Sequence, residues 1–237
     1  MKGFMTCALA VSFALAGCGG SGDPAETLSD VDRAEAAALQ SAYEQARSSQ
    51  DWEGAEAKAD VLRERFPGSE AEEAIAASLA QVRTQAQASR ETRRLRDAWT
   101  YQVAAVDGGS QRTATLYSRT PPVEEGMPVI TPDAQLVLRD HPSWGRSAYL
   151  LLAQKRFACP SPCTMQIAFD DGEARRFAGR QADSGKGPAL FIEDDAAFVE
   201  ALDAARAIRI TLPEGSGAVR SLVFEVSGFD PARYARP

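Results

Sequence analysis

The sequence predicts an α+β chain with a helical first half and an antiparallel, β-rich second half. Three observations lead there. Composition changes sharply near Trp99: residues 23–98 are rich in Ala, Glu, Gln and Arg, and the residues beyond it are β-branched and aromatic with frequent Gly and Pro. Before that point apolar residues recur every three or four positions, the spacing of a helix face. After it they alternate in short runs bounded by turn residues, the spacing of strands.

The first half divides into three helices. The first is expected from about Ser29 to Ser48, with Ser29 or Asp30 as N-cap, because a short side-chain oxygen there accepts an otherwise unpaired helix N–H. Its apolar face is read as Ala34, Ala38, Leu39, Ala42, Tyr43 and Ala46. The second is expected from Trp52 to Phe66, on the stripe Trp52, Ala55, Ala59, Leu62 and Phe66, and Pro67-Gly68 ends it. The third begins after Ser69. Glu72 and Glu73 favour its N-terminus, where the helix dipole is positive, and Ile75, Leu79 and Val82 form its buried stripe. From Gln85 to Arg94 that stripe fades, so this stretch reads as a solvated spacer helix whose end collects Arg83, Arg90, Arg93, Arg94 and Arg96. An ordinary solvated face explains those arginines; contact with anionic envelope material is the alternative.

In the second half, Trp99–Val106 and Arg112–Ser118 form a hairpin around Asp107-Gly108-Gly109-Ser110. Pro121–Pro132 is a proline-rich loop. Strands are expected at Ala134–Arg139, Ala148–Phe157, Thr164–Phe169, Ala174–Phe177 and Ala189–Ile192, with Asp170-Asp171-Gly172 as a tight type I′ turn. Asp194 caps a helix over Asp195–Ala204 that buries Phe198, Val199 and Leu202, and Arg206–Leu212 and Val219–Val226 close the sheet. The architecture expected is a helical hairpin plus long spacer helix, then an antiparallel β-sandwich or barrel-like domain with one short helix. The domain limits are 29–98 and 99–237.

The N-terminus has its own pattern. Lys2 supplies a positive charge, Phe4–Ala16 is apolar except for Thr6 and Ser12, and Leu15-Ala16-Gly17-Cys18 ends the run. The apolar run is too short for a membrane-spanning helix and suits a signal peptide over residues 1–17. The four residues resemble the lipobox of bacterial lipoproteins. That resemblance implies cleavage before Cys18 and acylation of it, so membrane lipid is the first expected partner; multiple acyl chains on one residue give stable anchoring. Gly19, by resemblance to Gram-negative lipoproteins, implies the outer membrane, with the protein facing the periplasm. Residues 18–28, with Gly19–Pro24 inside them, then form a flexible tether.

Two further resemblances bear on the body of the chain. Leu39, Tyr43, Ala55 and Ala59, with the run from Asp51 through Phe66-Pro67-Gly68 to Ala74, make the first two helices resemble one tetratricopeptide hairpin, similar to repeats in periplasmic outer-membrane assembly and Tol-Pal coordinator lipoproteins. At least three repeats are needed for a stable solenoid and one is present, so no peptide-binding superhelix is implied. The second half carries Trp99-x-Tyr101, Phe157-x-Cys159, Phe169-Asp170-Asp171-Gly172, Leu190-Phe191-Ile192 and Phe224-Glu225-Val226-x-Gly228-Phe229. These resemble an unnamed domain of bacterial envelope-associated and phage-associated proteins, and the resemblance implies no activity.

The compartment resolves the cysteines. Cys7 leaves with the signal and Cys18 is lipidated, so Cys159 and Cys163 remain. In an oxidising periplasm a nearby pair is expected to be a disulfide holding a turn between two strands. A redox or metal pair is the alternative, against which stand the Cys-x-x-x-Cys spacing and the two prolines between them.

The sequence carries no motif for a catalytic residue, cofactor site or metal ligand set. His141, beside Asp140, reads as a loop histidine, with no Gly-x-Ser-x-Gly elbow to complete a triad. Asp183-Ser-Gly-Lys-Gly187 lacks the spacing and the hydroxyl residue of a phosphate loop, so no nucleotide is expected. Asp170, Asp171 and Glu173, and Glu193, Asp194 and Asp195, lack calcium-loop spacing and read as a turn and a helix cap. Without the signal the chain carries −8 (25 basic against 33 acidic residues), divided as −6 before Trp99 and −2 from it onward. Nucleic acid is therefore excluded as an expected partner. The function expected is a non-enzymatic envelope adaptor or scaffold with a protein partner. An inhibitor or immunity lipoprotein that neutralises a toxin is the alternative, and a cell-wall or glycan hydrolase stands third.

Overall fold

A computed structural model describes residues 28–119, 134–152, 163–181, 188–213 and 219–234. The lipobox with Cys18, the tether, the proline-rich loop, Cys159 and residues 182–187 lie outside them. By internal contacts the chain forms two compact units that divide between Val82 and Arg83.

The first unit holds α1 (Asp30–Ser48), α2 (Trp52–Arg65) and the start of α3 (Glu70–Ala98). Each start has a side-chain cap. Ser29 Oγ accepts from Asp32 N, and Asp51 accepts from Gly54 N. At α3, Ser69 Oγ accepts from Glu72 N (3.1 Å) while the Glu72 carboxylate reaches back to Gly68 N (2.7 Å), a reciprocal capping arrangement. Gly68 sits at φ +72°, the left-handed conformation that ends α2's run. The core is Ala36, Tyr43, Ala55, Ala59, Leu62, Phe66, Ala71, Ile75 and Val82. Tyr43 crosses it, fully buried, with its hydroxyl 2.6 Å from Ser78 Oγ. The stripe expected on α2 is the buried one. The face expected on α1 is rotated: Ala36 is buried, and Ala34 and Ala38 are exposed. In a helix so rich in alanine, only Tyr43 and Leu39 fix the phase, and the bulk at those positions brings Ala36 inward. On α3 the buried stripe also runs one turn beyond Val82, to Ala86.

The second unit holds the rest of α3 and nine strands: β1 (Thr100–Val106), β2 (Gly109–Tyr117), β3 (Ala134–His141), β4 (Gly145–Leu152), β5 (Cys163–Phe169), β6 (Arg175–Gln181), β7 (Ala189–Ile192), β8 (Ile208–Pro213) and β9 (Val219–Phe224). The helices α4 (Asp195–Asp203) and α5 (Pro231–Tyr234) complete it. The strands form one open sheet in the order β1-β2-β3-β4-β7-β6-β5-β8-β9, antiparallel at every pairing. The α+β class is as the composition predicts. Inward residues of β2 to β9 meet in a single core with Phe198 and Leu202 of α4, so the sheet curls around that core without closing. One backbone bond, Arg119 N to Val223 O (2.7 Å), brings the end of β2 against β9.

The C-terminal residues fasten the sheet. Trp99 Nε1 donates to Val226 O (3.2 Å) and the indole lies 4.9 Å from the Phe229 ring. Asp230 N donates to the Tyr101 hydroxyl (2.7 Å), and the Arg233 guanidinium stands 4.1 Å above the Tyr101 ring. Gly228 at φ +87° lies so close to α3 that a Cβ would sit 2.7 Å from Arg96 Cα. The division of the chain at Val82 rather than at Trp99 follows from these contacts and from the Arg94–Glu225 ion pair (3.1 Å), which tie the last turns of α3 to β9 and the tail. The Glu91 carboxylate first, then Glu225, raises the Arg94 pKa, so the guanidinium is held as a cation.

Candidate functional site

Successive residues of a strand face opposite sides, and here the inward side is the core. The outward side of the central strands is therefore readable from the register. It presents Gln135, Val137, Arg139 and His141 on β3; Ser147, Tyr149 and Leu151 on β4; Ala189 and Phe191 on β7; Arg176, Ala178 and Arg180 on β6; Thr164, Gln166 and Ala168 on β5; Arg209 and Thr211 on β8. No Asp or Glu stands among those positions, in a chain of net charge −7. The cations there are all arginines.

Side chains on this face interlock across four strands. The His141 ring stacks on Trp144, centroids 3.9 Å apart and planes at 13°. The Arg139 guanidinium lies 5.2 Å from the Trp144 ring and 5.5 Å from the Tyr149 ring. Tyr149 pairs with Phe191 at 5.0 Å, and Arg180 stands 5.1 Å over Phe191. Arginines and rings thus form a continuous row from the β3–β4 turn to β6, joined by ring–ring contacts and by three contacts of the cation–π kind, each of the latter worth roughly 0.5–1 kcal/mol when exposed. Arg180 also bonds Glu193 (2.8 Å), the carboxylate just past the end of β7. Burial raises the Tyr149 pKa, so its hydroxyl stays neutral. Val137 is 3% exposed on this outward side, between its cross-strand neighbours Thr115 and Tyr149. Trp144 is 69% exposed at the end of the row, the largest ring so placed among the described residues.

A second polar group lies at one end of the core. Asp140, 2% exposed, faces inward with Arg112 and Arg146 as its cross-strand neighbours. Tyr234 lies near it. Burial first, then the Asp195 carboxylate, pushes the Tyr234 phenol up to about 12. Asp195 is itself raised, chiefly by burial. The phenol therefore stays protonated at neutral pH.

The residues singled out by sequence are dispersed. Cys163 opens β5, is buried, and is disulfide-bonded. It faces Gly179, where a Cβ would come within 3.0 Å of its sulfur, so the glycine gives the sulfur its space. His141 is not in a loop: it ends β3, 6% exposed, with Nδ1 accepting from Ser143 N. Asp170 does not begin a type I′ turn. It alone in its loop takes a positive φ (+51°), and its carboxylate accepts from Ala207 N (2.9 Å) and Arg206 N (2.8 Å). Those bonds, Ala207's first, lower its pKa. Asp194 accepts from Ala197 N and caps α4. Among the described residues no group of three or more His, Cys, Asp or Glu is placed to hold a metal ion, and no helix is long and apolar enough to cross a membrane.

The arginine–aromatic row is not legible along the chain, because its members come from β3, β4, β6 and β7, which adjoin only through the strand order. A usable signal was present: the outward positions of every one of these strands lack carboxylates.

No family model matches the chain, and no curated protein matches it. Among solved structures it is similar to invasion associated protein B from Bartonella henselae, with 16% identity and a TM-score of 0.39, over 57% of this chain and 87% of that one.

Proposed function

We propose that this chain is an outer-membrane lipoprotein, anchored through acylated Cys18 and facing the periplasm, that acts without catalysis as an adaptor or scaffold for a protein partner. The observation that supports this best is the arginine–aromatic row on the outward side of the sheet, whose strand positions carry no Asp or Glu, with exposed Trp144 at its end. Tryptophan and arginine are the residues that most often carry binding energy at protein interfaces. A face whose strand positions carry arginines and no carboxylate, on an acidic molecule, favours an acidic partner surface.

The test is crosslinking and capture from native membranes, with the chain as the cell makes it. One envelope protein should be enriched by the wild type. Trp144→Ala and Arg180→Glu should each lower its recovery at least about tenfold, the effect of losing a hot-spot contact, while Cys18→Ala moves the chain out of the membrane fraction. Recovery unchanged by both face substitutions, or no partner enriched at all, defeats the reading.

A further inference from the structure

The two edges of the sheet differ. At β9 the chain itself supplies a bond, from Arg119 N to Val223 O. At β1 no backbone group of the described residues pairs with the outer edge.

The phase of the ladder identifies what is left unpaired there. Ser118 N donates to Ala134 O, on the β3 side, and Arg119 N donates away from β3. Even-numbered β2 residues therefore point to β3 and odd-numbered ones to β1. By register, Thr100, Gln102, Ala104 and Val106 make the hydrogen-bonded pairs with Thr115, Thr113, Gln111 and Gly109. Tyr101, Val103 and Ala105 turn their N–H and C=O groups outward.

Proteins commonly keep such edges from pairing by charge, proline, bulges or shortness. β1 uses none of these. Its seven residues, Thr100–Val106, contain no charge and no proline, and they pair with β2 without a bulge. Val103 is 66% exposed.

We propose that β1 is a pairing edge and that its occupant is a second copy of this chain, joined antiparallel, β1 to β1, about a two-fold axis at Val103. The unpaired groups are symmetric about that residue. In this register Tyr101 meets Ala105 of the second copy, Val103 meets Val103, and about six hydrogen bonds form with no outward group left over. No ionisable side chain other than the Tyr101 phenol, neutral at pH 7, lies on β1, so identical strands bring no like charges opposite each other. The two exposed valines, on the same side of the joined sheet, cover one another. The pairing is separate from the outward arginine–aromatic face and does not depend on what that face binds. A seven-residue edge buries less than the standard interface of about 800 Å² per partner, so the dimer is weak.

Sedimentation of the full chain over rising concentration tests this. The expected result is a monomer at about 1 μM and a dimer by about 100 μM, the range of a micromolar complex. Val103→Lys places charge against charge, and Val103→Pro removes an N–H that β2 does not use; each should hold the chain monomeric at about 100 μM. Thr164→Lys, exposed on β5, should leave the dimer intact. Circular dichroism reports that the variants fold. If they do not, Val103→Cys treated with a short bis-maleimide replaces them, and a product of twice the monomer mass is expected. A wild type that stays monomeric throughout, lysine and proline variants that dimerise like it, or a Val103→Cys chain that gives no doubled product overturns the proposal.

Discussion

Asp170 shows how one side chain can do a different job from the one its neighbours advertise. In sequence it stands in an acidic cluster at a turn. In the fold its carboxylate is the acceptor for two backbone N–H groups at the entry to β8, Arg206 and Ala207. Those bonds favour the ionised form and lower its pKa. A carboxylate with a lowered folded pKa adds stability that is present above its unfolded pKa and lost as pH falls through the folded one. Asp170→Ala should therefore lower stability by about 1 kcal/mol at pH 7, a typical net value for such bonds. The difference from wild type should shrink below about pH 4, the ordinary range of an aspartate. Thermal melts of both proteins from pH 7 to pH 3 measure it; a difference that stays constant with pH would mean the charge is not the cause.

At the scale of elements, caps and periodicity act with unequal force. The stripe of α2 is legible because Trp52, Leu62 and Phe66 are large. The face of α1 is not, because alanines do not declare which side is inward. Helix ends are better specified: Ser29, Asp51 and Asp194 each accept from the N–H three residues on. Ser69 has the greatest consequence, since its bond to Glu72 N and the Glu72 bond to Gly68 N fix where α3 begins after the turn. Ser69→Ala should destabilise the helical unit by about 1 kcal/mol, as for other N-cap serines, and Ser69→Asp should restore most of it. A denaturant titration monitored by helical circular dichroism decides; equal stability of all three would remove the cap as a cause.

For the whole molecule, two cores share no residue: one around Tyr43, Leu62 and Ile75, the other around Leu136, Leu150 and Phe224. Each has its own large buried side chains, so each should respond to its own cavity. Leu62→Ala and Leu150→Ala should each cost about 2–5 kcal/mol. Calorimetry should show the first lowering one transition and the second lowering another. A single transition moved alike by both would show that the cores unfold as one.

The sequence by itself determined the α+β class, the spans of α1 to α4 though not α5 in the tail, nearly every strand, the cap at Asp194 and the turn of composition near Trp99. All of these are local: propensity, period and turn chemistry act within a few residues of chain. Tertiary structure decided the rest. β7 lies between β4 and β6, and only that order sets Tyr149 beside Phe191 and lines up the arginines with them. Asp140 and Tyr234 are buried beside each other although they stand far apart in sequence. Val82, not Trp99, ends the first compact unit, because Trp99, Arg94 and Gly228 take partners more than a hundred residues away in sequence. Such contacts arise from which strands adjoin, and neighbouring residues carry no record of it.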